Sequence, residues 1–120
     1  MDKVINQDEW EDFFNKFNKI NSSRATRLSA FDELGAQTIE HGLSLSGLDL
    51  QTKGQDSPIV EIILGREKPE QKHMTHSISN VTQVAVKFDD AGREEVLEIE
   101  NEKGAKVLLS FESMAEVGGG

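Results

Sequence analysis

The spacing of the aromatic residues constrains this chain more than any other feature. The chain has one tryptophan, six phenylalanines and no tyrosine. Four of these rings, Trp10, Phe13, Phe14 and Phe17, lie at i, i+3, i+4 and i+7, and Ile20 continues the series. That is one apolar stripe on a short amphipathic helix. Asp8 is placed to cap it, and Glu11, three residues on, completes the acceptor pattern of a capping box. Asp8, Glu9, Glu11 and Asp12 fall in the first turn and Lys16 and Lys19 in the last, each where the helix dipole favours its charge. The reading predicts a helix over about residues 8–20, stopped by Asn21-Ser22-Ser23, with Trp10 at the rim of its contact.

No later segment repeats the helical period. Residues 24–33 and 37–40 read as strands, with a turn at Gly35. Gly42-Leu43-Ser44-Leu45-Ser46-Gly47 reads as a glycine-bracketed turn, and residues 48–51 resume strand alternation. Ile59 to Leu64, opened by Pro58, is the most apolar run and predicts a central strand. Gly65 to Lys72 is charged and reads as an exposed loop.

The last stretch is the most legible. Thr82, Val84, Val86 and Phe88 alternate with polar residues, as do Leu97 and Ile99, and Val107, Leu109 and Phe111 form a third series. Asp90-Ala91-Gly92-Arg93 and Glu102-Lys103-Gly104 have the length of hairpin loops. With Gly104 in the left-handed position, Asn101 faces Ala105, Ile99 faces Val107, Leu97 faces Leu109 and Glu100 meets Lys106. A slip of one residue would send these partners to opposite faces. Glu94, Glu98, Glu100 and Glu102, with Val96 among them, form an outward acidic stripe partnered by Lys87 and Lys106.

The expected fold is α+β: an N-terminal amphipathic helix packed on a six- to eight-stranded antiparallel meander sheet or partly open barrel. The 120 residues make one domain over 1–117, with strands between 24 and 111 and a flexible tail at 118–120.

The order of short motifs resembles a family of short bacterial proteins known as a domain of unknown function. The motifs are Glu9-Trp10 with Phe14, Leu34-Gly35-Ala36, Leu43-Ser44-Leu45-Ser46-Gly47-Leu48 and Ile62-Ile63-Leu64-Gly65. They continue with His73-Met74-Thr75-His76-Ser77-Ile78, Leu97-Glu98-Ile99 and Leu108 to Phe111. Where members carry prolines, this chain has Ser44 and Asn80. The resemblance implies the architecture and no activity.

Composition excludes several functions. The net charge of −9 disfavours phosphate backbones and anionic membranes, so neither nucleic acid nor membrane is an expected partner. There is no cysteine, hence no disulfide, thiol catalysis or cysteine zinc site. No apolar run is long enough for a signal peptide or a membrane span, so the expected location is cytoplasmic. Neither a nucleophile elbow nor a phosphate-binding loop occurs, and no cofactor is implied.

Two clusters remain as candidate sites. His73 and His76 would need a carboxylate or His41 to hold a metal, yet odd spacing on an extended chain sends their rings to opposite sides. His76 is instead expected to fix the loop-to-strand transition. Arg24 and Arg27, with the Ser44–Gly47 turn, faintly resemble cyclic-dinucleotide receptors built on small six-stranded barrels, although Gly42 stands where those carry an acidic or amide residue. The alternative is two arginines on a solvated strand, or paired with Asp32 or Glu33. The function expected is a non-enzymatic binding or accessory module with a protein partner or a homodimer, its contact surface a sheet face or the 65–72 loop. A small anionic-ligand receptor using Arg24, Arg27, Ser44 and Gly47 is the alternative, and a histidine metal site the remote one.

Overall fold

A computed structural model describes residues 2–65 and 72–112. The expected 65–72 loop, apart from its two ends, and the 118–120 tail lie outside the described residues. The chain runs β1 (Asp2–Ile5), a single 3₁₀ turn (Gln7–Glu9), α1 (Trp10–Asn21), β2 (Ala25–Asp32), β3 (Gly35–Gln51) and β4 (Ile59–Gly65). It continues through β5 (His73–Ile78), β6 (Val81–Phe88), β7 (Glu94–Asn101) and β8 (Lys106–Phe111). Every pairing is antiparallel, and the eight strands form an open sheet in the order β1-β6-β7-β8-β2-β3-β4-β5. This is the α+β architecture read from the sequence, a helix packed on an antiparallel sheet that does not close. Among the described residues no helix is long and apolar enough to cross a membrane.

The aromatic stripe is the lid of the core. Trp10, Phe14 and Phe17 are 1–2% exposed and meet Leu28, Val84, Val86, Leu97, Ile99 and Leu109 from one part of the sheet. Leu45, Leu48, Val60, Ile62 and Leu64 close the core from the other. Two expectations for this helix are corrected. Trp10 is not at the rim: it is buried, and its indole N–H donates to the Ile5 carbonyl at 2.9 Å. Ile20 leaves the stripe and is 65% exposed, whereas Asn21 beside it is buried and donates its Nδ2 N–H to Glu94 Oε1 at 3.2 Å.

The predicted helix start is also corrected. A 3₁₀ turn occupies residues 7–9, Glu9 takes the N-cap position, and neither Asn6 nor Glu9 caps through its side chain. The Asp8–Glu11 capping box therefore does not form. Ahead of the turn, Asp2–Ile5 pairs with Lys87–Val84 as an additional strand, outside the expected 24–111 range.

The largest correction concerns residues 35–51. Gly42 to Gly47 is no turn; one strand of 17 residues runs through it. Its first part pairs with β2 and its second with β4, so it belongs to both parts of the sheet. Register shifts place extra residues near Ile39, at Gly42-Leu43 and at Ser46. Gly42 has φ +89°, which serves a bulge that bends the strand without reversing it. Beyond the expected loop, His73–Ile78 forms β5, paired in regular register with β4. Asn80, which stands where members of the resembled family carry proline, has φ +54° and donates its N–H to Asp56 O at 2.8 Å. Proline can do neither.

The β7–β8 hairpin forms as read. Ile99 faces Val107, Leu97 faces Leu109 and Glu100 faces Lys106, with Asn101 N–H on Ala105 O at 3.0 Å and Gly104 at φ +82°. The ion pair runs diagonally, from Lys106 Nζ to Glu98 at 3.2 Å. Glu94 departs from the outward stripe. A shift between the Lys87 and Phe88 pairings leaves Glu95 as an extra residue, which turns Glu94 toward the helix end.

Candidate functional site

Arg24 neighbours the Ser44–Leu45 backbone, where Leu45 N–H donates to Arg24 O at 2.9 Å, but the side chains proposed for an anion site are engaged separately. Arg24 precedes β2, and its guanidinium donates to Asn21 Oδ1 at 2.8 Å and to Glu94 O at 2.9 Å. Its Cζ also lies 4.0 Å from the centre of the Phe111 ring, a cation–π contact. Burial, and then the neighbouring Arg93, hold its pKa below the ordinary value, but a guanidinium stays charged in a protein. The group ties the end of α1 to the start of β7 and the end of β8. Arg27 is exposed on β2 between His41 and Ser110, paired with neither Asp32 nor Glu33. Ser44 is buried within β3 opposite Ala25. Gly47 packs near the Asn18 side chain, which would stand 3.7 Å from a Cβ placed there.

His73 and His76 diverge. On β5, His73, Thr75 and Ser77 are exposed, whereas Met74, His76 and Ile78 turn inward. Among the described residues, no three histidine, cysteine or carboxylate side chains come together as metal ligands. His76 does not sit at a loop-to-strand transition. It lies inside β5 opposite Ile62, which is fully buried. Burial pushes its pKa below the ordinary value. The sign follows directly: the unfolded chain takes up a proton near pH 6.5 while the folded chain resists it. This contribution to stability is complete above about pH 6.5 and is lost as pH falls toward the lowered folded value. Melting temperature measured from pH 7.5 to 5.5 is therefore expected to fall less steeply in His76→Gln than in the wild type. Parallel curves would refute it.

A different surface gathers the apolar residues that the core does not use. On the outer face of the sheet, register aligns Val4, Ala85, Glu98, Leu108 and Ser29 in one row across five strands. Phe31 and Lys106 stand opposite each other in the next row. Two hollows of about 260 and 480 Å³ share Glu98 and Leu108 as lining. A third, about 340 Å³, shares Asp32 and Gly104 with the larger of these and reaches Leu34. Together they make one shallow trough. The described residues include four large apolar side chains that are conspicuously exposed; Phe31 (36%) and Leu34 (96%) line this trough, and Val4 (59%) stands beyond it, next to Ala85 in the same row. The fourth, Ile20, borders a separate groove of about 350 Å³ between α1 and β6, whose Phe17 and Val86 floor already belongs to the core.

The trough is close to electrically balanced. Lys87, Lys103 and Lys106 face Asp32, Glu33 and Glu98 along its borders. Hydrogen bonding to Glu98 raises the Lys106 pKa, which holds the ammonium in its charged form. Sequence reasoning missed this surface. The available signal was apolar residues at outward positions: Leu108 between Val107 and Leu109, and Val96 among the glutamates.

Fold and surface together define a small helix-lidded open sheet, with its core filled and an apolar track outside. The chain belongs to the Family of unknown function (DUF5335), whose family model matches residues 1–118. No curated protein and no solved structure matches it.

Proposed function

We propose that this domain is a non-catalytic interaction module whose outer sheet face receives a protein partner. The observation that carries this is the gathering of Phe31, Leu34 and Leu108 along one trough, with the exposed Val4 at the end of the Leu108 row. Exposed apolar side chains normally scatter singly, and a contiguous track rimmed by charge marks a contact surface. The near balance of charge around the trough fits a protein surface that is apolar at its centre and carries both signs at its edge. It does not fit a polyanion. Catalysis has no comparable support, since the titratable groups along the trough are ion-paired or solvated and none converges on a hollow with a nucleophile.

The test uses a photo-crosslinking side chain introduced in turn at Leu34, Leu108 and the exposed control position Gln51. Leu34 and Leu108 are expected to yield the same protein adduct, and Gln51 none. The identified protein, once purified, is expected to bind the wild type at least tenfold more tightly than Leu34→Asp. Leu34 is 96% exposed, so its substitution leaves the fold intact. Equal binding by the two forms, or no adduct specific to the trough, refutes the reading.

A further inference from the structure

Among the described residues free strand edge falls on β1, on both parts of β3 and on β5, and all but β5 are guarded; the first part of β3, paired only with β2, is bulged near Ile39 and carries Glu40. β1 is four residues long, carries Lys3, and ends at the 3₁₀ turn. The second half of β3, beyond its pairing with β2, is covered by α1. There Asn18 takes the place of a missing strand: Leu48 N–H donates to its Oδ1 at 2.8 Å, and its Nδ2 donates to Leu48 O at 3.0 Å. Short length, charge and cover are the usual means by which edges avoid further pairing.

β5 has none of these. It is six residues of regular pairing with β4, from Val60–Ile78 to Gly65–His73, without a bulge. It ends the strand order, and no described strand pairs with its outer edge. It contains no proline and no glycine, and from His73 to Val86 the chain has no aspartate, glutamate, lysine or arginine. In a chain of net charge −9, this strand brings no acidic or basic side chain of Asp, Glu, Lys or Arg to a second copy.

We propose that β5 is a dimerisation edge, at which a second copy of this chain adds antiparallel and extends the sheet across a two-fold axis. The alternation of β5 selects the register. Exposed residues must meet exposed residues, so a residue of odd number must face one of odd number. Centring the axis on Thr75 satisfies this. Thr75 faces its own counterpart, His73 faces Ser77, and Met74 stands beside His76 on the inner side. Threonine pairs are favourable across antiparallel strands. Centring on His76 would instead oppose two half-buried imidazoles. This proposal is independent of the outer trough, which lies on a face of the sheet and not on its edge.

Full-length chain is examined by light scattering at micromolar concentration, and the absence of native cysteine permits single-cysteine crosslinking. The wild type is expected at twice the chain mass. Thr75→Lys, exposed and therefore compatible with the fold, is expected at the mass of one chain. Ser77→Lys, whose ammonium would stand beside Glu61, serves as the second variant. On mild oxidation Thr75→Cys is expected to form a disulfide-linked pair and Leu34→Cys to stay single. A wild type of single-chain mass overturns the proposal. So does a dimer that survives both lysine substitutions, or faster crosslinking through Leu34→Cys, which would place a self-contact on the outer face.

Discussion

Phe17→Ala is expected to lower folding stability by about 3–5 kcal/mol, the range for emptying a buried aromatic site. Phe17 is 1% exposed and stacks at a tilt against Phe13 and Phe111, at ring-centre distances of 5.7 and 5.8 Å. It therefore joins the helix both to its own preceding turn and to the last strand. Phe111 in turn carries the Arg24 guanidinium, so the truncation also loosens the link between the end of α1 and β7. Small domains are stable by only about 5–15 kcal/mol, so the variant would stand near its folding threshold. Urea unfolding followed by tryptophan fluorescence reads the change, because Trp10 is buried in the same core. A loss below about 1 kcal/mol, the scale of an ordinary surface substitution or less, would contradict the assignment of this ring to the core.

The second large effect is expected at Gly65, where no side chain fits. Its φ is +89°, and a Cβ there would stand 2.1 Å from the Lys72 carbonyl oxygen and 2.8 Å from the His73 Cα. Both obstacles are backbone, which cannot swing aside as a side chain does. Gly65→Ala combines a left-handed conformation, about 1–2 kcal/mol, with local overpacking, about 1–3 kcal/mol. The expected loss is about 2–5 kcal/mol, read as a lower urea midpoint. By contrast, Gly92→Ala meets no atom within 4 Å and bears only the strain of its φ of +84°. If the two substitutions cost the same, the close approach at the start of β5 is not as described.

What could be read in advance, and what could not, follows from how far apart the deciding partners lie. The β7–β8 register was legible because the turn glycine and the apolar alternation are local and agree. The helix was legible as a face but not at its ends. A capping box needs only the right residues three apart, whereas the strand pairing of Asp2–Ile5 with β6 decides where the chain enters the helix. β3 was read as two strands and a turn because glycines bracket residues 42–47. The same left-handed glycine serves a bulge when neighbouring strands are available on either side, and those neighbours come from β2 and β4. Arg24 looked like a ligand-binding cation because its partners, Glu94 and Phe111, lie far along the chain. The outer trough is harder still. Val4, Ala85, Leu108 and the hairpin residues Phe31 and Leu34 come from four separate segments, and only the assembled register sets these side by side.

The 17-residue strand has a consequence for how the molecule comes apart. A single backbone segment is common to both portions of the sheet, so neither can peel away while the other keeps its ladder intact. The hairpin at Lys103-Gly104 could be nicked with one pairing disturbed. A break at Gly42 would detach two ladders from each other at once. The bend there acts as a keystone, and it makes one cooperative body from what would otherwise be two small sheets sharing a lid.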